Sequence, residues 1–407
     1  TPYRSIGLPR EMSSAHVLPY KKALRNFSKA DEPLPPQVLA GAEIVAEWSG
    51  LAGPLPRAFL YATRPFNLAE LYLLRNGKAA AAGSADDLNT VLLSLRGFTP
   101  ATPMPVIERN GKVAVPADDH SRRVVIAVTS WKTMQSSWVA AVTKGTDPDV
   151  GRYARLNRLI NGVIASPSNA RYLVMPELSM KPRWFVRTAQ KLQGRGISFI
   201  AGVEYQHARR RRVRNQVWAS LIHNGLGFPS LFLYRQDKQA PALHERLEIK
   251  RLANLSMQPE TTWTQPPVIQ HGGFVFSVLV CSELTNIKYR ASLRGRVDAV
   301  IVPEWNQDTE SFNSLVESAA LDIHAYIVQC NDRAYGDSRI RAPFKDSWKR
   351  DILKVRGGLD DYCVTAEIDI QSLRQFQSSQ FSPSGPFKPV PDGYELAFER
   401  RVLPSSD

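Results

Sequence analysis

The sequence predicts an α/β domain, and three observations set that class. From Arg123 onward, short continuous apolar runs rich in Val, Ile and Phe alternate with amphipathic stretches at helical spacing, the pattern of buried strands joined by helices. Polar residues follow those runs at once. In Phe274 to Thr285, FVFSVLVCSELT, Gly272 and Gly273 precede the run, Cys281 closes it, and Ser282, Glu283, Thr285 and Asn286 come directly behind. Finally, 407 residues with 43% hydrophobic and 22% charged content suffice for one large or two medium cores.

The first 120 residues read differently. Helical spacing predicts Gln37 to Trp48 behind the Pro35-Pro36 pair, Asn67 to Arg75 with Asn67 as cap and Gly77 as stop, and Asp86 to Leu95. Gly97 to His120, with Pro100, Pro103, Pro105 and Pro116, reads as a linker holding at most a short hairpin around Asn110-Gly111. Three regions follow: 1–120, a helical accessory segment or the tail of a preceding domain; 121–375, the α/β domain; and 376–407, a C-terminal extension. The chain opens on Thr1, which fits a processed chain, an excised domain or part of a longer polypeptide.

Within the α/β region, Val124 to Ser130 is the first buried strand and Val150 to Ile164 an amphipathic helix. The pattern continues with a strand over Arg171 to Met175, a helix over Arg183 to Leu192 and a strand over Ile197 to Val203. Val217 to Ile222 and Leu231 to Tyr234, joined through Asn224-Gly225, read as an antiparallel pair. The Cys281 strand comes next, then a helix to about Arg294. Strand Ala299 to Val302, helix Ser311 to Ile323, and strands Tyr326 to Cys330 and Cys363 to Ile368 complete the set. The sum is a mixed sheet, or two sheets, covered by helices.

No stretch reaches the length of a membrane span, and the start carries no apolar run behind a basic one. Three cysteines (Cys281, Cys330, Cys363) form neither a CxxC pair nor an array with His, which excludes a disulfide framework and a zinc site and fits a reducing, cytoplasmic setting. No Gly-rich phosphate loop is present. A formal charge of +14 suggests an acidic partner such as nucleic acid or an anionic metabolite. His207 to Arg214, HARRRRVR, concentrates it; the run is either a solvated loop or a contact to phosphates.

Three polar groups stand at strand ends. Glu177 follows YLVMP, Lys238 lies beyond LFLY with Glu245 further on, and Cys281 completes the group. A thiol needs a base to become a thiolate, a carboxylate with a raised pKa can serve, and a charged lysine can hold an oxyanion. Read separately, Cys281 is a small core hydrophobe and the others are solvated strand ends. Lys250 in LEIKRL is a rival to Lys238, and His244 is the one histidine within reach if its loop folds inward.

In order and type these residues resemble the nitrilase superfamily of carbon–nitrogen hydrolases. Val174-Met175-Pro176-Glu177 is similar to its catalytic Glu step, Asn215 to an Asn opening a strand, and Tyr234, Arg235, Lys238 and Glu245 to its Tyr-Arg-Lys segment ending in a second Glu. Cys281 stands two positions before Glu283, as its nucleophile stands before an acidic residue. DAVIVPEWN from Asp298, YIVQCN ending in Asn331, Gly336 with Ser338, and GGLDDYCVTAEID from Gly357 extend the likeness to about Asp369. Departures are the Arg-Gln-Asp insertion before Lys238, and Ser282-Glu283-Leu284 where aromatic and Asp residues are common.

The resemblance implies an α-β-β-α sandwich of two facing sheets preceded by a mostly helical segment, and a thiol-dependent amidase-like hydrolase. By the same likeness Cys281 attacks, Glu177 is base and then acid, Lys238 stabilises the adduct, and Glu245 orients the lysine or the leaving group. It implies no metal or organic cofactor, a small nitrile, amide or carbamoyl substrate, and a homo-oligomer. The alternative is a nitrilase-like binding or assembly module fused to a nucleic-acid enzyme, such as the reverse transcriptases of bacterial antiphage defence.

Overall fold

The computed structural model describes residues 106–107, 111–117, 122–223, 230–379 and 385–401. The three helices expected before residue 97 and the Asn224-Gly225 connection lie outside the described residues. The chain divides into two compact units. One comprises residues 1–104 and 223–230, of which only 223 and 230 are described; the other comprises 105–222 and 231–407 and holds the two sheets' packed cores and the candidate site.

In chain order the strands are β1 (Val106–Ile107), β2 (Val113–Val115), β3 (Arg123–Ser130), β4 (Tyr172–Val174), β5 (Ser198–Ala208), β6 (Arg212–His223), β7 (Ser230–Asp237) and β8 (Ser256–Met257). They continue with β9 (Val268–His271), β10 (Phe274–Val278), β11 (Ala299–Pro303), β12 (Tyr326–Cys330), β13 (Ser338–Arg341), β14 (Asp351–Val355) and β15 (Tyr362–Asp369). The helices are α1 (Gln135–Thr143), α2 (Arg152–Ala165), α3 (Pro182–Gln193), α4 (Leu243–Ala253), α5 (Ile287–Leu293), α6 (Thr309–Ile323) and α7 (Ile370–Ser378).

The strands form two sheets, ordered β1-β2-β9-β10-β11-β12-β13-β14 and β15-β3-β4-β5-β6-β7, with β8 beside β6. Each has a parallel centre, β3-β4-β5 in one and β10-β11-β12 in the other. Strands with parallel neighbours are buried on both faces, which is why they read as unbroken apolar runs. Ile126, Val128, Tyr172, Val174 and Ile200 of one sheet meet Phe274, Phe276, Ile301, Val328 and Ile340 of the other in a shared core. Outside the first sheet, Leu156, Ile160 and Phe185 of α2 and α3 cover Leu173 and Phe199; outside the second, Phe312, Val316 and Ala319 of α6 cover Val300 and Val302. Helix, sheet, sheet, helix: the architecture is the expected α-β-β-α sandwich. Each large side chain so buried contributes roughly 1.5–3 kcal/mol.

Several boundaries differ from the sequence reading. The Phe274 to Thr285 run is a strand only as far as Val278; Cys281 opens a 3-10 turn, Cys281–Thr285, instead of closing the strand. The turn forms because Glu283 reaches back to accept the Val280 amide at 2.9 Å. Glu245, expected in a loop, lies in the first turn of α4, where it accepts the Ala242 amide at 3.2 Å. β1 and β2 are the hairpin partners allowed around Asn110-Gly111, with Ile107 opposite Val113. His207 to Arg214 is no loose loop: β5 and β6 pair through Ala208 and Arg212, leaving Arg209, Arg210 and Arg211 as the turn.

The parallel centres fix where polar groups gather. Glu177 follows β4, Cys281 follows β10, and Glu304 follows β11, all at carboxyl ends of parallel strands where α/β sheets open their crevices.

Candidate active site

Gly202 sets the exit of Glu177. A Cβ on Gly202 would stand 2.4 Å from the Glu177 Cα, so only glycine lets β5 lie against this turn. The Gly202 amide donates to the Pro176 carbonyl at 3.0 Å, the Glu177 amide to the Glu304 carbonyl at 3.3 Å, and Leu178 takes a left-handed φ of 55°. The Glu177 side chain is thereby held in the interior, only 3% exposed.

Lys238 follows β7 directly, its amide bonded to the Asn215 carbonyl at 2.8 Å. Its ammonium, also buried, donates to Glu177 Oε1 at 2.9 Å and to Glu245 Oε2 at 2.8 Å. Asn215 closes the cluster, its Nδ2 donating to Glu177 Oε1 at 2.7 Å and to Glu245 Oε1 at 2.9 Å. Tyr205 adds a third side-chain donor to Glu245 at 2.8 Å, and Trp138 Nε1 donates to the Tyr205 hydroxyl at 3.2 Å. Tyr205 reaches Glu245 from an irregularity in the β5–β6 ladder, where register shifts between Val203 and Gln206; such bulges re-aim a side chain.

Cys281 joins this cluster from the facing sheet. It is 8% exposed and adopts a left-handed φ of 49°, a strained conformation for a non-glycine residue. Two bonds tie its turn and the end of β10 to the residues on either side of Lys238. Glu283 Oε1 accepts the Gln239 amide at 2.7 Å, and Gln236 Nε2 donates to the Val278 carbonyl at 2.6 Å.

Burial pushes the Cys281 thiol well above its ordinary range; Glu177 adds to the rise, while Lys238 and the Trp305 amide hydrogen bond oppose it. Burial likewise raises Glu177, against the pull of Lys238 and with a push from Glu245. Burial also acts to raise Glu245, but the Lys238 charge and the hydrogen bonds from Lys238, Tyr205 and Asn215 overcome it and hold this carboxylate below the usual value. Lys238 is driven well above its ordinary value: burial works against its charge, yet Glu177, Glu245 and Cys281 outweigh burial. The two carboxyls are therefore unequal. Glu245 stays a counterion for Lys238, and Glu177 is the one disposed to take a proton.

Of the four predicted site residues, Glu177, Lys238 and Glu245 are joined by ion pairs, and Cys281 lies within electrostatic reach of Glu177 and Lys238. Lys250 and His244 do not join them, since both are exposed on α4. Cys330 is buried in β12 with its sulfur 3.4 Å from the Val174 carbonyl, and Cys363 is half-buried on β15. Among the described residues no group of His, Cys, Asp or Glu is arranged to hold a metal ion.

Sequence reasoning missed Gly202, Tyr205, Trp138 and Glu304, and named Asn215 only by likeness. Glu304 is fully buried, held through Oε2 by Gln329 Nε2 at 3.1 Å, with no hydrogen-bond partner for Oε1 among the described residues. Burial pushes its carboxyl up to about 8. The signal available was an acidic residue at the end of the apolar run AVIVP.

No protein-family model matches the sequence, and no curated protein matches it. Among solved structures the chain is similar to a mutant amidase from Nesterenkonia sp. AN1 that carries the acetamide moiety of fluoroacetamide on its active-site cysteine. Identity is 16%, the TM-score is 0.43, and the match covers 63% of this chain and 93% of that one. Another mutant of the same amidase, in complex with butyramide, matches at 16% identity and a TM-score of 0.43 over 64% of this chain and 95% of that one. Saccharomyces cerevisiae Nit3, a member of branch 10 of the nitrilase superfamily, matches at 15% identity and a TM-score of 0.45, covering 65% and 96%.

Proposed function

We propose that this chain is a nitrilase-superfamily, thiol-dependent hydrolase that cleaves a nonpeptide carbon–nitrogen bond in a small nitrile, amide or carbamoyl compound. One observation carries the reading: a buried lysine bridging two carboxylates, at 2.9 and 2.8 Å, within the electrostatic reach of a left-handed cysteine at a strand exit. Glu177 takes both its side-chain hydrogen bonds on Oε1, which leaves Oε2 for the thiol proton.

With an amide, the Cys281 sulfur bonds to the carbonyl carbon as its proton passes to Glu177, and Lys238 meets the oxyanion that forms. Because burial disfavours a free thiolate, proton transfer accompanies attack instead of preceding it. Glu177 then gives its proton to the nitrogen, the carbon–nitrogen bond breaks, and ammonia or an amine leaves a thioester on Cys281. Glu177 takes a proton from water, the hydroxide adds to the thioester carbon, and the acid departs as the thiol regains its proton. Glu245 keeps Lys238 charged and in place throughout.

The test is ammonia release from a panel of nitriles, linear amides and carbamoyl compounds. For the compound that is turned over, Cys281→Ala should lower the rate on the order of 10⁴-fold or more while the melting temperature barely moves. Full turnover by the alanine variant overturns the reading.

A further inference from the structure

The basic run His207 to Arg214 takes no part in the chemistry above, and its form in the fold differs from a solvated loop. β5 and β6 continue past the site as a two-stranded ribbon that turns at Arg209, Arg210 and Arg211. Arg210 and Arg211 both have left-handed φ, 60° and 56°. Left-handed turn positions are favoured by Gly and by Asn, and side chains with a full Cβ are disfavoured there. Two arginines here are thus the poor choice for folding.

The ribbon is held on both sides. The Ser256 amide donates to the Arg211 carbonyl at 3.0 Å and the Gln258 amide to the Val213 carbonyl at 2.9 Å, through β8, while His207 Nε2 bonds the Ala141 carbonyl at 2.8 Å. Arg214 is neutralised by Glu260 at 2.9 Å. Arg209, Arg210, Arg211 and Arg212 are exposed and make no ion pair among the described residues. A tip held by flanking hydrogen bonds thus presents four guanidinium groups that have no ion pair among the described residues.

We propose that this tip is a docking site for the phosphates of a nucleic-acid strand. Guanidinium forks match phosphate oxygens bidentately, and several in a row favour a repeating polyanion over one isolated anion. A membrane surface fits less well, because such contacts pair basic groups with exposed apolar ones, and no large exposed apolar residue lies on the ribbon. The overall balance, 52 Lys and Arg against 38 Asp and Glu, adds long-range attraction of the same sign. Tyr205 and Asn215 ride on the same two strands, so the docking tip and the Glu177–Lys238–Glu245 cluster share one ladder.

The test uses the full chain and a labelled single-stranded oligonucleotide, read by fluorescence anisotropy across a salt titration. One variant replaces the tip by Arg209→Ser, Arg210→Asn, Arg211→Gly and Arg212→Ser, a turn that should fold at least as well. A second changes all four to Lys. Wild type should bind at low salt, and the Ser-Asn-Gly-Ser variant should bind at least about tenfold more weakly. Its plot of log affinity against log salt should flatten by about 2–3, near 0.7 for each phosphate that is no longer neutralised. The Lys variant should keep most of that slope, and Cys281→Ala should bind as wild type does, separating docking from the hydrolase reading. Equal binding by wild type and the Ser-Asn-Gly-Ser variant, or no binding by wild type, overturns the proposal. So does competition by inorganic phosphate at an equal phosphate concentration, or capture by anionic vesicles or an acidic polypeptide but not by the oligonucleotide.

Discussion

Two buried ionic clusters in this chain obey opposite rules. Asp298 is fully buried between Arg374 and Arg400, which donate to its two oxygens at 2.5 to 3.2 Å, and the Val275 amide adds a bond at 2.9 Å. Burial acts to raise it, but the arginine charges and hydrogen bonds win and hold it low. Every oxygen is satisfied, and the cluster fastens the segment containing Arg400 to the sheet. At the other cluster two carboxylates share one lysine, Glu177 is raised, and Glu304 Oε1 and Asn215 Oδ1 lack partners among the described residues. Saturation makes a clasp; a deficit of partners leaves a group able to change protonation.

The largest expected effect separates the two. Glu177→Gln keeps an oxygen for Asn215 and Lys238 to bond, and Glu245 still balances Lys238, so the fold should hold while ammonia release falls by about 10²–10⁴-fold. A variant that retains its rate would show Glu177 to belong to the clasp class. Next comes Asp298→Ala, which leaves two buried arginines short of their anion. Chemical denaturation should show a loss of about 3–5 kcal/mol. The alkylation rate of Cys281 under native conditions should stay the same, and a change in it would mean that the clusters are coupled.

The same contrast explains what the sequence revealed. Strands β3, β10, β11 and β12 were legible because both faces are apolar, and Glu177 and Cys281 because a polar residue ends such a run. β13, SRIR, was not: its four residues are buried, but Arg339 and Arg341 are carried inside by pairing with Asp337, Asp351 and Glu317. α4 escaped because Ile249 alone of its residues is buried, with Leu243 and Leu247 facing outward, so no apolar period marks it. Tyr205 and Asn215 meet only through the irregular β5–β6 register, and Gly202 matters only because Glu177 crosses it in space. Contacts of that kind have no local signature.

Glu304 gives a smaller effect, visible as a pH dependence. Its carboxyl is raised by burial to about 8 from an ordinary 4.5, eased by Gln329 and Arg339 and worsened by Glu177. Between those two values the folded chain keeps a proton that the unfolded chain has lost, so stability declines as pH rises through the window. Glu304→Gln removes that proton. Unfolding free energies from urea titrations at pH 6, 7 and 8 should decline less in the variant than in wild type, by up to about 1 kcal/mol for each pH unit. Burial also raises Glu283, to about 7, so a residual decline should persist between pH 6 and 7 and fade by pH 8. Parallel declines in the two proteins would mean that Glu304 is already paired and belongs with Asp298.

The smallest effect is expected at the lysine that competes with Lys238 in the sequence. Lys250 stands seven residues before Met257 on a helix whose third residue, Glu245, enters the site, so chain proximity alone does not disqualify it. Helical geometry does, because Glu245 and Lys250 are five residues apart, about 140° around an axis of 3.6 residues per turn, and so project from different faces. Lys250 is accordingly exposed, whereas Lys238 is buried with two carboxylates. Lys250→Ala should therefore change stability by less than about 0.5 kcal/mol and leave ammonia release unaltered. Lys238→Ala, measured beside it, should leave Glu177 and Glu245 facing each other without a cation and abolish turnover. If instead the Lys250 variant loses its rate and the Lys238 variant keeps it, the oxyanion role passes to α4 and the partner-deficient cluster must be redrawn around that helix.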